Sequence, residues 1–221
     1  MTGYKQIEWT EENVKKFWDY TSQFPELYFT YRCRGPVVKK FKKYFKKDCN
    51  VLDYGCGTGL LIPHLLKSGV NVTGLDFSDK SVESVNKKFS GEPYFKGAFK
   101  KEDIFKKGSK FDVIFLLEVI EHIDDEYLGK TFQNIKKLLT ENGVVIITTP
   151  NDEKLADNHI FCPQCECIFH RWQHVRNWDA AKLRGYLDKQ EFKIVELFTT
   201  NFSVFSWKNK LDFIKNIAKK I

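Results

Sequence analysis

A glycine-rich loop with the sequence VLDYGCGTG carries the clearest chemical signal in the chain. Gly55, Gly57 and Gly59 directly follow an apolar run that ends at Asp53. Glycines behind a strand allow positive φ and let a ligand lie against the main chain. Leu60 stands where the dinucleotide fingerprint needs a glycine, and no Gly-Lys-Ser/Thr of a P-loop follows. The loop therefore predicts ligand binding at a strand end and weakens the case for a pyrophosphate.

Asp76 lies seventeen residues past Gly59, at the end of the next predicted strand. A carboxylate at that position could accept hydrogen bonds from both hydroxyls of a ribose. Cys56, inside the loop, is expected to be a small packing residue, because no adjacent base could activate its thiol. Arg32 and Arg34 could pair with a ligand carboxylate or lie on the surface.

Acidic and imidazole side chains follow the fourth predicted strand. Glu118, Glu121 and His122 would share one face of a helical turn. Two carboxylates and an imidazole suit a hard divalent ion such as Mg²⁺ or Mn²⁺. Alternatively, His122 could act as a general base on a hydroxyl, since its unperturbed pKa lies near neutrality, or it could simply orient the turn.

A cysteine cluster, CPQCEC, lies after the fifth predicted strand. One zinc ion could be held within nine residues by three thiolates and one imidazole: Cys162, Cys165, Cys167 and His170. His159 or His174 could replace His170, and reduced cysteines that only pack a loop are the alternative. A structural zinc would stabilise a long segment that has little aliphatic content.

The elements that must position these groups alternate between strand-like and helical patterns. The predicted strands are NVLDY, NVTGLD, EPYFKGAF, FDVIFLL, GVVIITTP and FKIVELF. Apolar helical stripes lie between them, with Ser78, Asp124 or Asp125, and Asp179 as N-caps. This rhythm predicts an α/β, Rossmann-like, doubly wound and mostly parallel sheet with helices on both faces.

We expect a single domain with four parts in these 221 residues. Residues 1–48 form an aromatic-rich helical cap, 49–150 the ligand-binding core, and 151–178 a Cys/His-rich insertion. The insertion is too long for a structureless loop in a compact domain. Residues 179–221 are expected to contain a helix, a sixth strand and a final basic helix, with no seventh strand.

Composition and charge limit the class of protein, its location and its partners. With 42% hydrophobic and 29% charged residues the chain is globular rather than disordered, and no apolar run approaches a membrane span. No secretion signal is visible, so a cytoplasmic location and reduced cysteines are expected. The net charge of +7 raises the possibility of nucleic-acid binding, but the lysines of KKFKKYFKK alternate with apolar residues, which indicates the wet face of a helix.

In order and spacing these segments resemble the class I S-adenosylmethionine-dependent methyltransferases. The resemblance covers about residues 50–198, through VLDYGCGTG, VTGLDFS, FDVIFLLEVIEH and NGVVIITTPN. It implies that Asp53 and the glycine loop hold the methionine portion of the cofactor, Asp76 the ribose, and that Phe77 flanks the adenine. The expected cofactor-binding residues are Arg32, Asp53, Gly55, Cys56, Gly57, Gly59, Asp76, Phe77, Asp103 and Glu118, with Glu102 as the alternative to Asp103 for a contact with the adenine amine.

A second resemblance concerns the string EVIEH. It is similar to the Glu-x-x-Glu-His metal site of small-RNA 3′-terminal 2′-O-methyltransferases, in which a distant histidine completes the ligands. His174 precedes Trp178 and Asp179 as that histidine would. The same string also occurs in metal-free relatives, the ubiquinone-biosynthesis O-methyltransferases.

Three functions are compatible with these patterns. The first is methylation of a hydroxyl on a small metabolite or sugar-like intermediate, with His122 and His174 as catalytic residues. Such a transfer mainly requires alignment and exclusion of water. The second is metal-dependent 2′-O-methylation of RNA, and the third is a module that binds S-adenosylmethionine without turnover.

Overall fold

A seven-stranded sheet forms the centre of the computed structural model, which describes residues 3–202 and the backbone of 214–220. The strands in chain order are β1 (Asn50–Tyr54), β2 (Asn71–Leu75), β3 (Phe95–Phe99), β4 (Phe111–Leu117), β5 (Leu139–Thr149), β6 (Phe192–Thr199) and β7 (Ile214–Lys220). Their spatial order is β3-β2-β1-β4-β5-β7-β6. Pairs among β1 to β5 are parallel, and β7 is antiparallel to both of its neighbours. The mostly parallel α/β sheet predicted from the sequence is thereby confirmed.

Helices cover both faces of the sheet. The helices are α1 (Glu11–Thr21), α2 (Phe29–Phe41), α3 (Ile62–Leu66), α4 (Asp79–Phe89), α5 (Lys101–Lys106), α6 (Asp125–Leu138) and α7 (Ala180–Lys189). Side chains of α2, α3 and α4 share one core with Val113 and Phe115, and those of α5, α6 and α7 share another with Ile114 and Leu116. Successive strand residues point to opposite faces, so β4 contributes to both cores and the fold is doubly wound. None of the described helices is both long and apolar enough to span a bilayer.

The predicted N-caps set where three helices begin. Ser78, Asp124 and Asp179 accept hydrogen bonds from backbone amides three residues ahead, at 3.3, 2.9 and 2.8 Å. Such caps satisfy amides that have no partner inside the helix and stabilise each start by about 1 kcal/mol. Helix α4 therefore begins close behind the end of β2, next to Asp76.

The insertion folds into a small hairpin that packs on the N-terminal segment. Its strands, His159–Phe161 and Cys167–His170, are antiparallel, and the second also pairs in parallel with Lys5–Gln6. A bridge between Asn151 and Trp178 closes its base. The insertion is thus ordered by backbone pairing, as its length suggested.

The end of the chain differs from the prediction. Residues 214–220 form β7 rather than part of a basic helix, while residues 203–213 lie outside the described residues. Ile214, Ile217 and Ala218 match helical spacing, but short apolar runs do not decide between helix and strand. Here the backbone groups of β5 and β6 pair with the segment between them, and that tertiary pairing overrides local preference.

Candidate active site

The glycine loop, residues 55–59, leaves unoccupied space beside the backbone of Gly57. Its φ is +49°, and a Cβ built there would meet no atom within 4 Å. Added Cβ atoms on Gly55 and Gly59 would instead lie 2.9 Å from Val119 and Phe89. Gly57 is therefore the point at which a ligand can approach the main chain.

Asp76 ties the loop to the end of β2. Its Oδ2 accepts a hydrogen bond from the Gly57 amide at 2.8 Å, and its Oδ1 accepts one from the Ser78 amide at 2.9 Å. Burial raises the pKa of Asp76, although these amides act in the opposite direction. Each carboxylate oxygen has a further lone pair, so Asp76 can hold the loop and still accept from two ribose hydroxyls.

Asp53 lies buried near the end of β1. Burial raises the pKa of Asp53 to about 7, and the charge of Asp76 adds to the shift. Two neighbouring buried acids favour a ligand that carries positive charge. A sulfonium compound with an amino-acid tail meets that requirement, and the open backbone at Gly57 leaves room for it.

Four other predicted cofactor residues differ in how far they are buried. Cys56 is buried, with its Sγ 2.9 Å from where a Cβ on Gly74 would lie, and burial raises the pKa of its thiol well above the usual range. Phe77 is 57% exposed directly after Asp76. Arg32 is exposed on α2, and Asp103 lies exposed in α5 at 3.6 Å from Lys106. Cys56 therefore packs, whereas the cofactor contacts of the other three stay predictions.

An acid and histidine cluster lies beyond the carboxyl end of β4. One ligand atom from each of Glu121, His122 and His174 falls within 4.8 Å of the others. Thr149 donates to Oε2 of Glu121 at 3.0 Å, whereas Oε1 has no hydrogen-bond partner among the described residues. Burial, followed by the charge of Glu118, raises the pKa of Glu121 well above its usual range. The cluster therefore has a buried carboxylate oxygen available for a proton or a cation.

His122 is neutral in this environment. Burial, followed by the charge of His174, lowers the pKa of His122 to about 3, which corrects the expectation of a near-neutral base. Its Nδ1 lies 3.4 Å from the carbonyl oxygen of Gln173. A weakly basic, neutral imidazole is suited to bind a metal or to orient its neighbours.

Helix α1 reaches this cluster through Trp18 and Gln173. The indole Nε1 of Trp18 donates to Oε1 of Gln173 at 3.0 Å, and Nε2 of Gln173 donates to the His122 carbonyl at 3.0 Å. The Trp18 ring also stands edge-on to His122, with centroids 4.9 Å apart. The predicted N-terminal helical cap is thus in direct contact with the cluster.

The predicted zinc ligands separate into two groups. Three of them lie at the hairpin turn, where the Cys162 amide donates to the Cys167 carbonyl at 2.9 Å and Cys167 Sγ lies 3.4 Å from the Cys165 carbonyl. His170 instead stacks on His174, with centroids 4.4 Å apart. Residues three apart in a strand point to opposite faces, which separates Cys167 from His170. Within the described part of the chain, no converging group of three ligands contains a cysteine.

Sequence reasoning missed two residues of the site, Glu153 and Gln173. Glu153 follows the carboxyl end of β5 and contacts both His170 and His174. The rule that ligands bind at the carboxyl ends of parallel strands would have pointed to Glu153. Gln173 carries no such signal, because its role depends on the docking of α1.

Substituting alanine for Gly57 is expected to weaken S-adenosylmethionine binding about tenfold, because the new Cβ would fill the unoccupied space that the ligand needs. Isothermal titration calorimetry measures this. Gly69→Ala is the matched control, since Gly69 also has positive φ, at +72°, with no atom within 4 Å of an added Cβ. Equal losses in both variants would show that backbone strain, not cofactor contact, explains the effect.

Comparison with known proteins extends these observations. A family model described as a methyltransferase domain matches residues 26–197. The chain is 28% identical to the ubiquinone biosynthesis O-methyltransferase of Pelagibacter ubique (strain HTCC1062), over 98% of this chain and 96% of the relative. It is also 28% identical to the enzyme of the same name from Rickettsia bellii (strain OSU 85-389), over 68% of this chain and 64% of that relative.

A solved structure shares the fold. The 1,6-didemethyltoxoflavin-N1-methyltransferase of Burkholderia thailandensis, solved with 1,6-didemethyltoxoflavin and S-adenosylhomocysteine, superposes with a TM-score of 0.69 at 15% identity. The match covers 98% of this chain and 93% of that one. The family match identifies the chain, and the glycine loop and the strand order agree with it. The protein belongs to the class I S-adenosylmethionine-dependent methyltransferases.

Proposed function

We propose that this enzyme methylates a hydroxyl group on a small metabolite or a sugar-like intermediate, with His174 accepting the hydroxyl proton. The observation that carries the proposal is the cluster of buried Glu121 with half-buried His122 and His174, which the ring of Trp18 contacts edge-on. The names of the relatives, which are O-methyltransferases, support the choice of a hydroxyl. Because the family is enzymatic, a module that binds the cofactor without turnover is the least favoured function.

The cofactor half of the site consists of Asp53, Gly57 and Asp76. When bound there, S-adenosylmethionine supplies the methyl group and the sulfonium leaving group. The protein aligns the reactants and excludes water, because little covalent chemistry is required of its side chains. Burial, followed by the charge of Asp76, raises the pKa of Tyr28 to about 12, so its hydroxyl stays protonated.

Two aromatic rings of the N-terminal segment border the acceptor half of the site. Trp18 stacks on Tyr28 with centroids 6.1 Å apart and meets His122 edge-on. Tyr28 also lies close enough to Asp76 to sense its charge. The same two rings therefore connect the cofactor residues with the histidine cluster, as a water-excluding wall would.

A second candidate function is metal-dependent 2′-O-methylation of RNA. The specific observation in its favour is that Glu121, His122 and His174 converge, with the charge of Glu118 acting on Glu121. A divalent ion would relieve the repulsion between the buried carboxylates and could orient two adjacent hydroxyls. The net charge of +7 also favours an RNA partner.

We also propose that the hairpin turn can bind zinc through Cys162, Cys165 and Cys167. Backbone amides of Cys165 and Gln164 lower the pKa of Cys162, which favours the thiolate that zinc requires. No disulfide joins any of the six cysteines, all of which lie within the described residues. Since His170 lies with Glu153, His159 becomes the alternative fourth ligand.

Metal analysis combined with an activity assay separates these functions. We expect labelled methyl transfer to small hydroxyl compounds of a cell extract that persists in EDTA. Transfer to RNA that needs Mg²⁺ or Mn²⁺ and disappears in Glu118→Ala would favour the second function instead. Zinc that copurifies with the protein and is lost in Cys162→Ser would support the hairpin site, and wild-type protein without zinc would contradict it.

A further inference from the structure

We propose that Glu153 and His170 are positioning residues that hold His174 with its proton on Nδ1 and its lone pair on Nε2. The inference rests on the proposed function, because it specifies which nitrogen of His174 works. Glu153, His170 and His174 all come from the insertion, so the insertion would supply a reacting group to the site as well as cover it.

Glu153 is held on both oxygens. Its Oε2 forms a short hydrogen bond with Nδ1 of His174, while its Oε1 accepts from Nδ2 of Asn158 at 3.0 Å. Side-chain nitrogens of Asn158, His170 and His174 surround the carboxylate, and N–H groups in that arrangement favour its ionised form. An ionised carboxylate only accepts, so the proton of the shared bond belongs to Nδ1 of His174.

His170 has a fixed tautomer of its own. Its Nδ1 lies 3.3 Å from the Trp172 amide nitrogen and 3.2 Å from the His174 amide nitrogen, and both amides donate to it. The neutral ring must therefore carry its proton on Nε2, which lies 3.2 Å from Oε1 of Glu153 but has no hydrogen-bond partner in proper geometry among the described residues. Ligand atoms of Glu153, His170 and His174 lie within 4.8 Å of one another, but a metal on Nε2 of His170 would displace the only proton of a ring whose Nδ1 already accepts from two amides. We therefore assign His170 to support of the carboxylate.

The three side chains form a chain from His170 through Glu153 to His174. His170 is 2% exposed, and its ring stacks on that of His174 at an interplanar angle of 19°. A carboxylate that accepts from one ring nitrogen fixes the orientation of the ring and raises the basicity of the other nitrogen. Nε2 of His174 is then ready for either role considered above, acceptance of a hydroxyl proton or binding of a cation.

Long-range ¹H–¹⁵N NMR of the His174 side chain tests the assignment without any substitution. In the wild-type protein we expect the neutral ring to be protonated on Nδ1, and a ring protonated on Nε2 overturns the proposal. In Glu153→Ala the expected signature is a mixture of both tautomers. This measurement does not require turnover, so it stands even if the methyl acceptor proposed above is wrong.

Kinetics provide the second test. Glu153→Ala should lower kcat roughly 10- to 100-fold, while the KM for S-adenosylmethionine stays within about twofold of wild type. Glu153→Asp should recover part of the loss, because it restores an acceptor for the Nδ1 proton. Asp157→Asn, an exposed acid of the same insertion, is the matched control and should leave kcat unchanged. Equal losses in Asp157→Asn and Glu153→Ala, or an unaltered tautomer in Glu153→Ala, would contradict the positioning role.

Discussion

Replacing His174 by alanine is expected to lower kcat by roughly 100-fold to 10⁴-fold, which is the range for loss of a general base. The residue lies in the cluster with Glu121 and His122, and its hydrogen bond to Glu153 fixes its orientation there. Cofactor affinity should not change, since Asp53, Gly57 and Asp76 provide it. Initial rates with a saturating acceptor, together with calorimetry of cofactor binding, measure the two effects separately.

His64→Ala is the control for the His174 variant, because His64 lies half-buried in α3 and outside the cluster. A His174→Ala protein that keeps a third or more of the wild-type kcat would exclude the proposed role. The same variant separates hydroxyl methylation with His174 as a base from metal-dependent methylation of RNA. If added Mn²⁺ restores part of the activity, His174 acts as a metal ligand rather than as a base.

Asp76→Ala should weaken S-adenosylmethionine binding at least tenfold. Two hydrogen bonds from ribose hydroxyls to a carboxylate contribute about 1.5 kcal/mol each, and their combined loss corresponds to about a hundredfold in Kd. The substitution also releases the amides of Gly57 and Ser78, which the carboxylate holds at 2.8 and 2.9 Å. Calorimetric titration of the purified variant gives the affinity directly.

The matched control for the Asp76 variant is Asp79→Ala. Asp79 carries the same charge in the first turn of α4, but its side chain is 74% exposed and pairs with Lys100 at 3.0 Å. Its loss should leave affinity within about twofold, because exposed ion pairs contribute little. Unchanged affinity in Asp76→Ala would remove Asp76 from the ribose site. Comparable weakening in Asp79→Ala would point to a general charge effect instead.

The local sequence pattern is sufficient to predict the strands and helix starts that carry the cofactor residues. β1, β2 and β4 are apolar runs bounded by turn residues, and Ser78, Asp124 and Asp179 mark helix starts by side-chain chemistry that acts over three residues. Asp53, Gly57 and Asp76 could be predicted for the same reason. They stand at strand ends, where the fold brings ligand-binding residues together.

Contacts between distant segments could not be predicted in the same way. β7 depends on two strands that lie far from it in the chain, and its own spacing resembles a helix. His170 is close to the cysteines in sequence, but strand alternation turns it toward Glu153. His122 was expected to titrate near neutrality, and only its burial and the charge of His174 change that. In each case the deciding partner is remote in the chain.

The hydrogen bond from Trp18 to Gln173 joins residues that are 155 positions apart. During synthesis, helix α1 emerges from the ribosome long before Gln173, so the hydrogen bond can form only after β1 to β5 have been synthesised. The glycine loop and Asp76 are only 19 positions apart at Gly57, so their contact can form much earlier. A nascent chain can therefore form the contact between Gly57 and Asp76 well before the contact between Trp18 and Gln173.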